Sequence, residues 1–264
     1  MKIKYCLVST NLNKDYYEFI PLVCNIWKKL LDIEVKVVII GNEIPECAKG
    51  YENNIILFDP IPNIHTAFQA QCIRVLYPCL LNTDEGIIIA DIDMIPLQKD
   101  YYEGLISLSS DFFINTHKVW HGRKQIMMIG NVATPSVWKD IFKINSEDDI
   151  RNTLIQWHDK YKDYDGKRGG VSWNADQEIL YNYIMNWEQN THKLHIYDKK
   201  NIQFPNMRTT MKLLNSKKNE TDIEDFFKSI YDPIHPYIQL PKPYSEYSYI
   251  LDWLSNRVII ANNC

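Results

Sequence analysis

The chain has 264 residues, of which 45% are hydrophobic and 23% are charged, a composition typical of a globular protein. This excludes a collagen-like or a disordered chain. The six cysteines are scattered and form no CxxC pair, so we predict reduced thiols in the core and neither a zinc site nor disulfides. The formal net charge of −4 does not provide the basic field that nucleic-acid binding needs, and we expect no nucleic-acid partner.

The start of the sequence shows no targeting signal. Residues 1–4 are basic, but the apolar run Tyr5–Val8 is far too short for a signal peptide. No stretch approaches the roughly 18 apolar residues that are needed to span a bilayer. Together with reduced cysteines, these features predict a cytoplasmic protein without an integral membrane segment.

The first third of the chain alternates strand and helix patterns. The predicted strands are Lys4–Val8, Glu34–Ile40, Ile55–Phe58 and Gly86–Ala90; the predicted helices are a segment with apolar positions from Phe19 to Leu31, with Pro21 in its first turns, and Thr66–Leu81. This order predicts an α/β fold with a mainly parallel central sheet flanked by helices. Gly86–Ala90 shows no alternation, which predicts a central strand buried on both faces.

The rest of the chain is less regular. We predict strands at Phe112–Asn115, Gln125–Ile129 and Lys193–Tyr197, and helices at Thr134–Phe142, Ile150–Tyr161, Asn174–Trp187, Asp222–Tyr231 and Tyr249–Asn256. Residues 199–220 are polar without clear periodicity and predict an irregular crossing or a mobile loop. Neither a repeat nor a linker is visible, so we predict one domain over residues 1–264.

The sharpest signal is the pair Asp91 and Asp93, which directly follows the apolar strand Gly86–Ala90. Two carboxylates this close repel each other unless a cation lies between them. A divalent ion with oxygen ligands is the usual solution, and Mn²⁺ or Mg²⁺ suits carboxylate plus phosphate. A strand-ending turn with two solvated aspartates is the alternative. Phosphatases of the haloacid-dehalogenase type also carry DxD, but normally on their first strand.

Several motifs together resemble the GT-A glycosyltransferases, and among them the family-8-like retaining enzymes of the glycogenin and galactosyltransferase type. Besides the DxD motif, they are Ile73–Leu81 before the DxD strand, Met128–Ala133, Trp173–Glu178 with its Asp-Gln pair, and residues 234–244 with a His…Lys-Pro-aromatic element. The resemblance implies a GT-A fold, with residues 1–97 as the nucleotide-sugar-binding half and residues 98–264 as the acceptor-binding and closing half.

The resemblance also implies an activity and its partners. The protein would transfer a hexose from a UDP-sugar, with retention, to a carbohydrate, glycoprotein or glycolipid acceptor. The divalent metal would be held by Asp91, Asp93 and His235, with His192 and His195 as rivals for the third ligand. Open alternatives are a metal-dependent phosphatase and a catalytically inactive protein that binds sugar nucleotides.

Two groups of site residues follow from the resemblance and from the strand ends. The nucleotide-sugar-binding candidates are Ser9, Thr10, Asn11, Gln71, Arg74, Asp91, Ile92, Asp93, Asn131 and Lys242; the catalytic candidates are Asp176 and Gln177. Asp176 could instead be a helix cap, Asn131 a turn residue and Lys242 a solvated surface group. Residues 116–124 combine aromatic and basic side chains, so Trp120 is a candidate for stacking an acceptor sugar, while a solvated loop is as good an explanation.

Overall fold

The computed structural model describes residues 1–116, 119–167, 169–197, 208–230 and 236–257. Its strands are β1 (Ile3–Asn11), β2 (Glu34–Ile40), β3 (Ile55–Phe58), β4 (Gly86–Ile89), β5 (Met94–Pro96), β6 (Phe113–Asn115), β7 (Asn131–Ala133), β8 (Leu194–Ile196) and β9 (Tyr237–Gln239). Its α-helices are α1 (Lys14–Tyr17), α2 (Ile20–Leu31), α3 (Thr66–Leu76), α4 (Lys99–Ile106), α5 (Pro135–Phe142), α6 (Glu147–Lys160), α7 (Ala175–Thr191), α8 (Arg208–Lys217), α9 (Glu220–Ile230) and α10 (Ser248–Arg257).

The central sheet has the strand order β3-β2-β1-β4-β7-β6-β8 in the described part of the chain. β1 pairs in parallel with β2 and with β4, and β2 pairs in parallel with β3. β7 is antiparallel to both β4 and β6, and β8 runs parallel to β6. The predicted α/β fold with a mainly parallel sheet is therefore confirmed, and the carboxyl ends of β1 and β4 lie side by side.

The burial of the central strand β4 explains why apolar and polar residues do not alternate in Gly86–Ala90. Ile88 belongs to the apolar cluster that contains α2, whereas Ile87 and Ile89 belong to the cluster that contains α3 and α5. Each side chain is completely buried, so the strand lies in the middle of the sheet with both faces covered, as predicted. Pro21 lies in the first turn of α2, also as predicted, where its missing N–H leaves no helical hydrogen bond unmade.

Two predictions for the second half are wrong. Residues 125–129 form no strand beyond a single bridge between Gln125 and Trp120; the chain pairs with β4 only from Asn131 onward. Apolar side chains in this stretch are buried although the backbone forms no ladder with a neighbouring strand. A buried irregular segment and a buried strand have the same apolar sequence pattern, which is why a strand was predicted. Within residues 199–220, the structure forms α8, whose buried positions Met211 and Leu214 are too few to give a visible helical period. Residues 198–207 lie outside the described residues.

The short strands β5 and β9 form a separate antiparallel pair, and neither was predicted. Their ladder extends at both ends, because Leu97 N–H donates to the Pro236 carbonyl (2.9 Å) and Leu240 N–H donates to the Asp93 carbonyl (2.7 Å). This pairing holds the segment around Leu240 against the turn that carries the two aspartates. α4, which was also missed, begins directly after β5.

The cysteines largely follow the prediction of buried thiols. Cys6, Cys24, Cys72 and Cys79 are buried and free, and burial raises the pKa of the Cys6 and Cys72 thiols well above the usual value. Cys47 is exposed, which contradicts its assignment to the core. Cys264 lies outside the described residues. Among the described helices, none is both long and apolar enough to cross a bilayer.

Candidate functional site

A cleft of about 510 Å³ opens at the carboxyl ends of β1 and β4. This is the edge at which ligands of open parallel sheets bind, because strand-end loops and helix starts converge there. Its volume suits a small organic ligand. The sequence candidates that line it are Ser9, Thr10, Asn11, Gln71, Arg74, Asp91, Ile92, Asp93, Asp176, Gln177 and Lys242. The structure thus brings together side chains that are far apart in the chain.

One group of charges, here called the arginine cluster, consists of Arg74, Asp91 and Asp176. The guanidinium of Arg74, on α3, donates from one nitrogen to Oδ1 of Asp91 and from the other to Oδ2 of Asp176 at 2.6 Å. The side chains of Arg74 and Asp176 are 8% and 2% exposed, whereas that of Asp91 is 33% exposed. Arg74 therefore fixes the end of β4 and the start of α7 relative to α3, and Asp91 keeps one side toward the cleft.

Burial and pairing act against each other in the arginine cluster. Burial alone would lower the pKa of Arg74, but the two carboxylates outweigh it and raise that pKa, so the guanidinium stays charged. Burial raises the pKa of Asp176, while Arg74 and the backbone N–H of Gln177, which donates to Asp176 at 2.8 Å, oppose the rise. Asn174 is the cap residue of α7, so Asp176 lies within the first turn and is not the cap.

A second group, the lysine cluster, consists of Asp93, Lys242, Tyr16 and Gln239. Lys242 Nζ lies 2.9 Å from Oδ2 of Asp93 and 3.7 Å from the centre of the Tyr16 ring. The side-chain amide of Gln239 donates to the same carboxylate at 3.3 Å. Burial would lower the pKa of Lys242, but Asp93 and Tyr16 raise it. The β5–β9 pair places Gln239, and Lys242 after it, beside Asp93, which follows strand β4 of the central sheet.

The end of β1 forms a third part of the cleft. The Ser9 hydroxyl donates to the Ala70 carbonyl, and the side-chain amide of Asn11 donates to the Thr66 hydroxyl at 3.1 Å. These two contacts fix the start of α3 against the strand. Gln71, one turn before Arg74, has a buried Oε1 that accepts no hydrogen bond from the described residues, and the Nε of Arg74 is likewise buried without a partner. Both atoms belong to side chains that line the cleft.

Not every sequence candidate lies in the cleft. Asn131 is completely buried in β7, where its amide donates to the Met127 carbonyl (2.7 Å) and accepts from the Asn115 amide (2.7 Å). His192 ends α7 and His195 lies in β8, and neither lines the cleft. The prediction for His235 falls outside the described residues.

The cleft is also lined by residues that were not among the site candidates from the sequence. They are Asn13, Asp15, Tyr16, Ala67, Ala70, Met128, Gly166, Trp173 and Gln239. Trp120, chosen from its basic and aromatic surroundings, lies instead in a separate depression formed with its neighbours in residues 119–123. Trp173 directly precedes the Asn174–Gln177 segment, and this closeness to the Asp-Gln pair is the one signal that could have identified it.

The donor atoms at the DxD turn suit a hard divalent ion, since they are carboxylate oxygens that face a polar cleft. The described residues contain no cluster of three or more histidine, cysteine or acidic side chains that could hold a metal by themselves. Two carboxylates would suffice only for an ion that takes its remaining ligands from water and phosphate, which is how Mg²⁺-type ions bind.

Comparisons with known proteins connect this cleft to a fold. No family model matches the sequence, and no curated protein matches it. Among solved structures, the galactosyltransferase LgtC, in complex with donor and acceptor sugar analogues, is similar over 97% of this chain and 95% of its own, with 12% identity and a TM-score of 0.50. The glycosyltransferase GlyE of Streptococcus pneumoniae TIGR4 is similar over 98% of this chain but 64% of its own, with 12% identity and a TM-score of 0.47. The likeness to LgtC confirms the predicted GT-A fold; at this identity it shows the fold alone.

Proposed function

We propose that the protein is a metal-dependent glycosyltransferase that transfers a hexose from a UDP-sugar to an acceptor. The observation that carries the proposal is the meeting of Asp91, Asp93, Asp176, Arg74 and Lys242 in one cleft at the carboxyl edge of a GT-A sheet. The cleft combines groups that would bind a diphosphate, namely Lys242 and the two aspartates of the DxD motif, with the buried carboxylate of Asp176, which would lie next to the sugar.

The charge balance of the cleft supports a divalent ion. The described side chains that line it include four carboxylates, of which the fourth is Asp15, against the two cations Arg74 and Lys242. The formal balance is therefore two negative charges in excess before a ligand enters. A nucleoside diphosphate adds further negative charge, which the site can accept only together with cations. Asp91 and Asp93 would hold Mn²⁺ or Mg²⁺, with His235 as the third ligand that the family resemblance implies.

Each part of the donor has a matching group. The bound metal would act as a Lewis acid toward the leaving diphosphate. Lys242, a flexible point charge, can leave Asp93 and neutralise phosphate oxygens. Ser9, Thr10 and Asn11, at the end of β1, would bind the base and ribose. Ile92 is buried between the two aspartates and keeps both carboxylates turned toward the cleft.

The hexose would lie near the arginine cluster. The side chains of Gln71 and Arg74 line the cleft beside this cluster and would offer polar groups to the sugar hydroxyls. Asp176 supplies negative charge beside the developing oxocarbenium ion, and Gln177 follows it on the cleft wall. Retention of configuration is carried by the family resemblance. Asn131 would contribute by holding the carbonyl of Met127, the residue before the cleft-lining Met128, and not by touching the donor.

The phosphatase alternative is not favoured. A phosphatase of the haloacid-dehalogenase type would use Asp91 as a free nucleophile, whereas Arg74 occupies Oδ1 of that carboxylate. The prediction is therefore that aryl phosphates are not hydrolysed. Robust aryl-phosphatase activity that disappears in Asp91→Asn would replace the transferase assignment.

The decisive test is a pair of measurements on the wild-type protein and Asp93→Asn. We expect UDP to raise the melting temperature strongly with Mn²⁺ and weakly with a chelator, because the ion links carboxylate to diphosphate. We also expect slow Mn²⁺-dependent release of UDP from UDP-glucose or UDP-galactose without acceptor. Asp93→Asn should lose the effect of Mn²⁺.

Asp59→Asn is the matched control, because Asp59 also follows a strand of the parallel sheet but lies outside the cleft. It should behave like the wild type in both measurements. Equal stabilisation by UDP with Mn²⁺ and with chelator would contradict the metal. Binding of UDP without any UDP release from nucleotide sugars would favour the inactive binding protein.

A further inference from the structure

We propose that Trp173 is the platform on which a sugar ring of the acceptor stacks, so that the acceptor is a carbohydrate and not a bare protein or lipid hydroxyl. This inference rests on the proposed glycosyltransferase function and names the acceptor class for the same cleft. Trp173 is the tryptophan among the described residues that lines the cleft.

The position of Trp173 is next to the proposed sugar site. It lies in the loop between α6 and α7, three residues before Asp176, and its side chain is only partly buried. The residues proposed for base and ribose lie at the end of β1, in the first part of the chain. Trp173 and Gln177 belong instead to the wall contributed by the second part. A ring bound to Trp173 would therefore lie beside the hexose and not at the base.

The indole is held rigidly from behind. Its ring stacks on that of Tyr164, with centroids 6.4 Å apart and planes at 13°. Tyr164 is itself buried and makes edge contacts with His65 (5.6 Å) and Phe68 (5.4 Å), both at the start of α3. A platform fixed in this way loses little conformational entropy when a ligand stacks on it.

A glycine attaches the same loop to α3. Gly166 has φ +70, and a Cβ placed there would lie 2.3 Å from Nε2 of His65. The loop can approach the imidazole this closely only without a side chain. The wall that carries Trp173 therefore packs against the start of α3, the helix that carries Arg74.

The chemistry of an exposed indole suits a sugar. A pyranose presents a face of C–H groups that packs against an aromatic ring, and hydroxyls at its rim that need hydrogen-bond partners. The indole N–H of Trp173 donates to none of the described residues, and Gln177 offers an amide on the same wall. The indole ring can therefore pack against the C–H face of the sugar, while the indole N–H and the Gln177 amide can bind its hydroxyls.

Trp120 provides the contrast and the control. It lies outside the cleft, in the depression formed by residues 119–123, where the guanidinium of Arg123 is 5.4 Å from the centre of its ring. The basic residues around Trp120 made it a candidate in the sequence. Asp176 lines the cleft, but Trp120 does not.

The experiment is a screen followed by kinetics. An array of immobilised oligosaccharides, with peptides and long-chain alcohols as non-sugar acceptors, is incubated with Mn²⁺ and labelled UDP-glucose, UDP-galactose or UDP-N-acetylglucosamine. We expect the wild-type protein to label at least one oligosaccharide and none of the non-sugar acceptors. With that oligosaccharide in solution, Trp173→Ala should raise the acceptor KM about tenfold, and far more than the donor KM, because one aromatic stacking contact is lost.

Two further variants keep the test independent of folding. Trp173→Phe should recover part of the loss, since it restores an aromatic face, and Trp120→Ala should match the wild type in both KM values. Melting temperatures identify a variant that fails to fold. An acceptor KM in Trp173→Ala equal to that of the wild type, or labelling confined to peptides or alcohols, would overturn the inference while UDP release still supported the transferase. Absence of UDP release from every donor would overturn the proposed function, and the inference with it.

Discussion

The two ion-pair clusters of the cleft contain the same kinds of charge but are built differently. In the arginine cluster, a planar guanidinium in α3 holds two carboxylates at once, and the pair with Asp176 is almost completely buried. In the lysine cluster, a flexible ammonium reaches Asp93 from the segment that follows β9. An arginine fork fixes geometry, whereas a lysine is a mobile point charge. The difference indicates that the first cluster is part of the framework and the second can rearrange when a ligand arrives.

The largest expected effect comes from breaking the arginine cluster. Arg74→Met would leave Asp176 buried without a cation, and we expect the free energy of unfolding to fall by about 3–5 kcal/mol. Urea unfolding measures this change. Arg151→Met is the control, since Arg151 contacts the Phe58 ring and the Asp59 carbonyl away from the cleft, and its loss should cost about 1 kcal/mol or less. Similar losses in the two variants would contradict the framework role of Arg74.

The second largest effect is expected when Asp176 of the arginine cluster loses its charge but keeps its shape. Asp176→Asn keeps the size of the side chain but removes its charge, and we expect turnover to fall about 100-fold or more, because charge next to the reacting carbon is lost. UDP affinity should hardly change, since Asp176 is assigned to the sugar. Steady-state UDP release, measured beside a melting curve, tests both parts. Glu178→Gln, on the same helix but outside the cleft, should stay close to the wild type.

The smallest effect is expected from the lysine cluster. Lys242→Met removes a cation that we assign to the diphosphate, and UDP affinity should fall about tenfold. The free energy of unfolding should fall less than in Arg74→Met, because Asp93 keeps the amide of Gln239. Calorimetric titration with UDP measures the first and urea unfolding the second. Lys99→Met, at an exposed site, should change neither. A loss of stability as large as that of Arg74→Met would remove the distinction between the clusters.

The strands that could be predicted from the sequence are those whose pattern lies within a single continuous segment of the chain. β2 and β3 were predicted with their observed bounds, because each is a compact apolar run closed by turn residues. β5 and β9 were missed, since three-residue strands carry no period, and the contact that defines them joins residues far apart in the chain. Lys242 could be predicted from the family resemblance, whereas Gln239 and Tyr16 beside it could not.

The arginine cluster shows the same limit at the level of side chains. Arg74, Asp91 and Asp176 were each selected from the sequence, but no local pattern indicates that one guanidinium holds both carboxylates. Asn131 is the opposite case, because the family resemblance suggested a ligand contact, while its amide is used for hydrogen bonds to Asn115 and Met127. Trp120 was selected for the basic residues around it, but it lies outside the cleft, whereas Trp173 lines it.

The pairing of β9 with β5 has a consequence for biosynthesis. Gln239 lies 146 positions after Asp93, the residue whose carboxylate it contacts. A ribosome therefore makes the strands β1 to β4 long before it releases β9, the strand that borders the DxD turn. Contacts between residues this far apart in the chain form late in folding, because the intervening chain must first be ordered. The nascent protein passes through a stage in which β1 to β4 can already pair while Asp93 still lacks Lys242, so the charges described in the cleft come together only after Lys242 has been made.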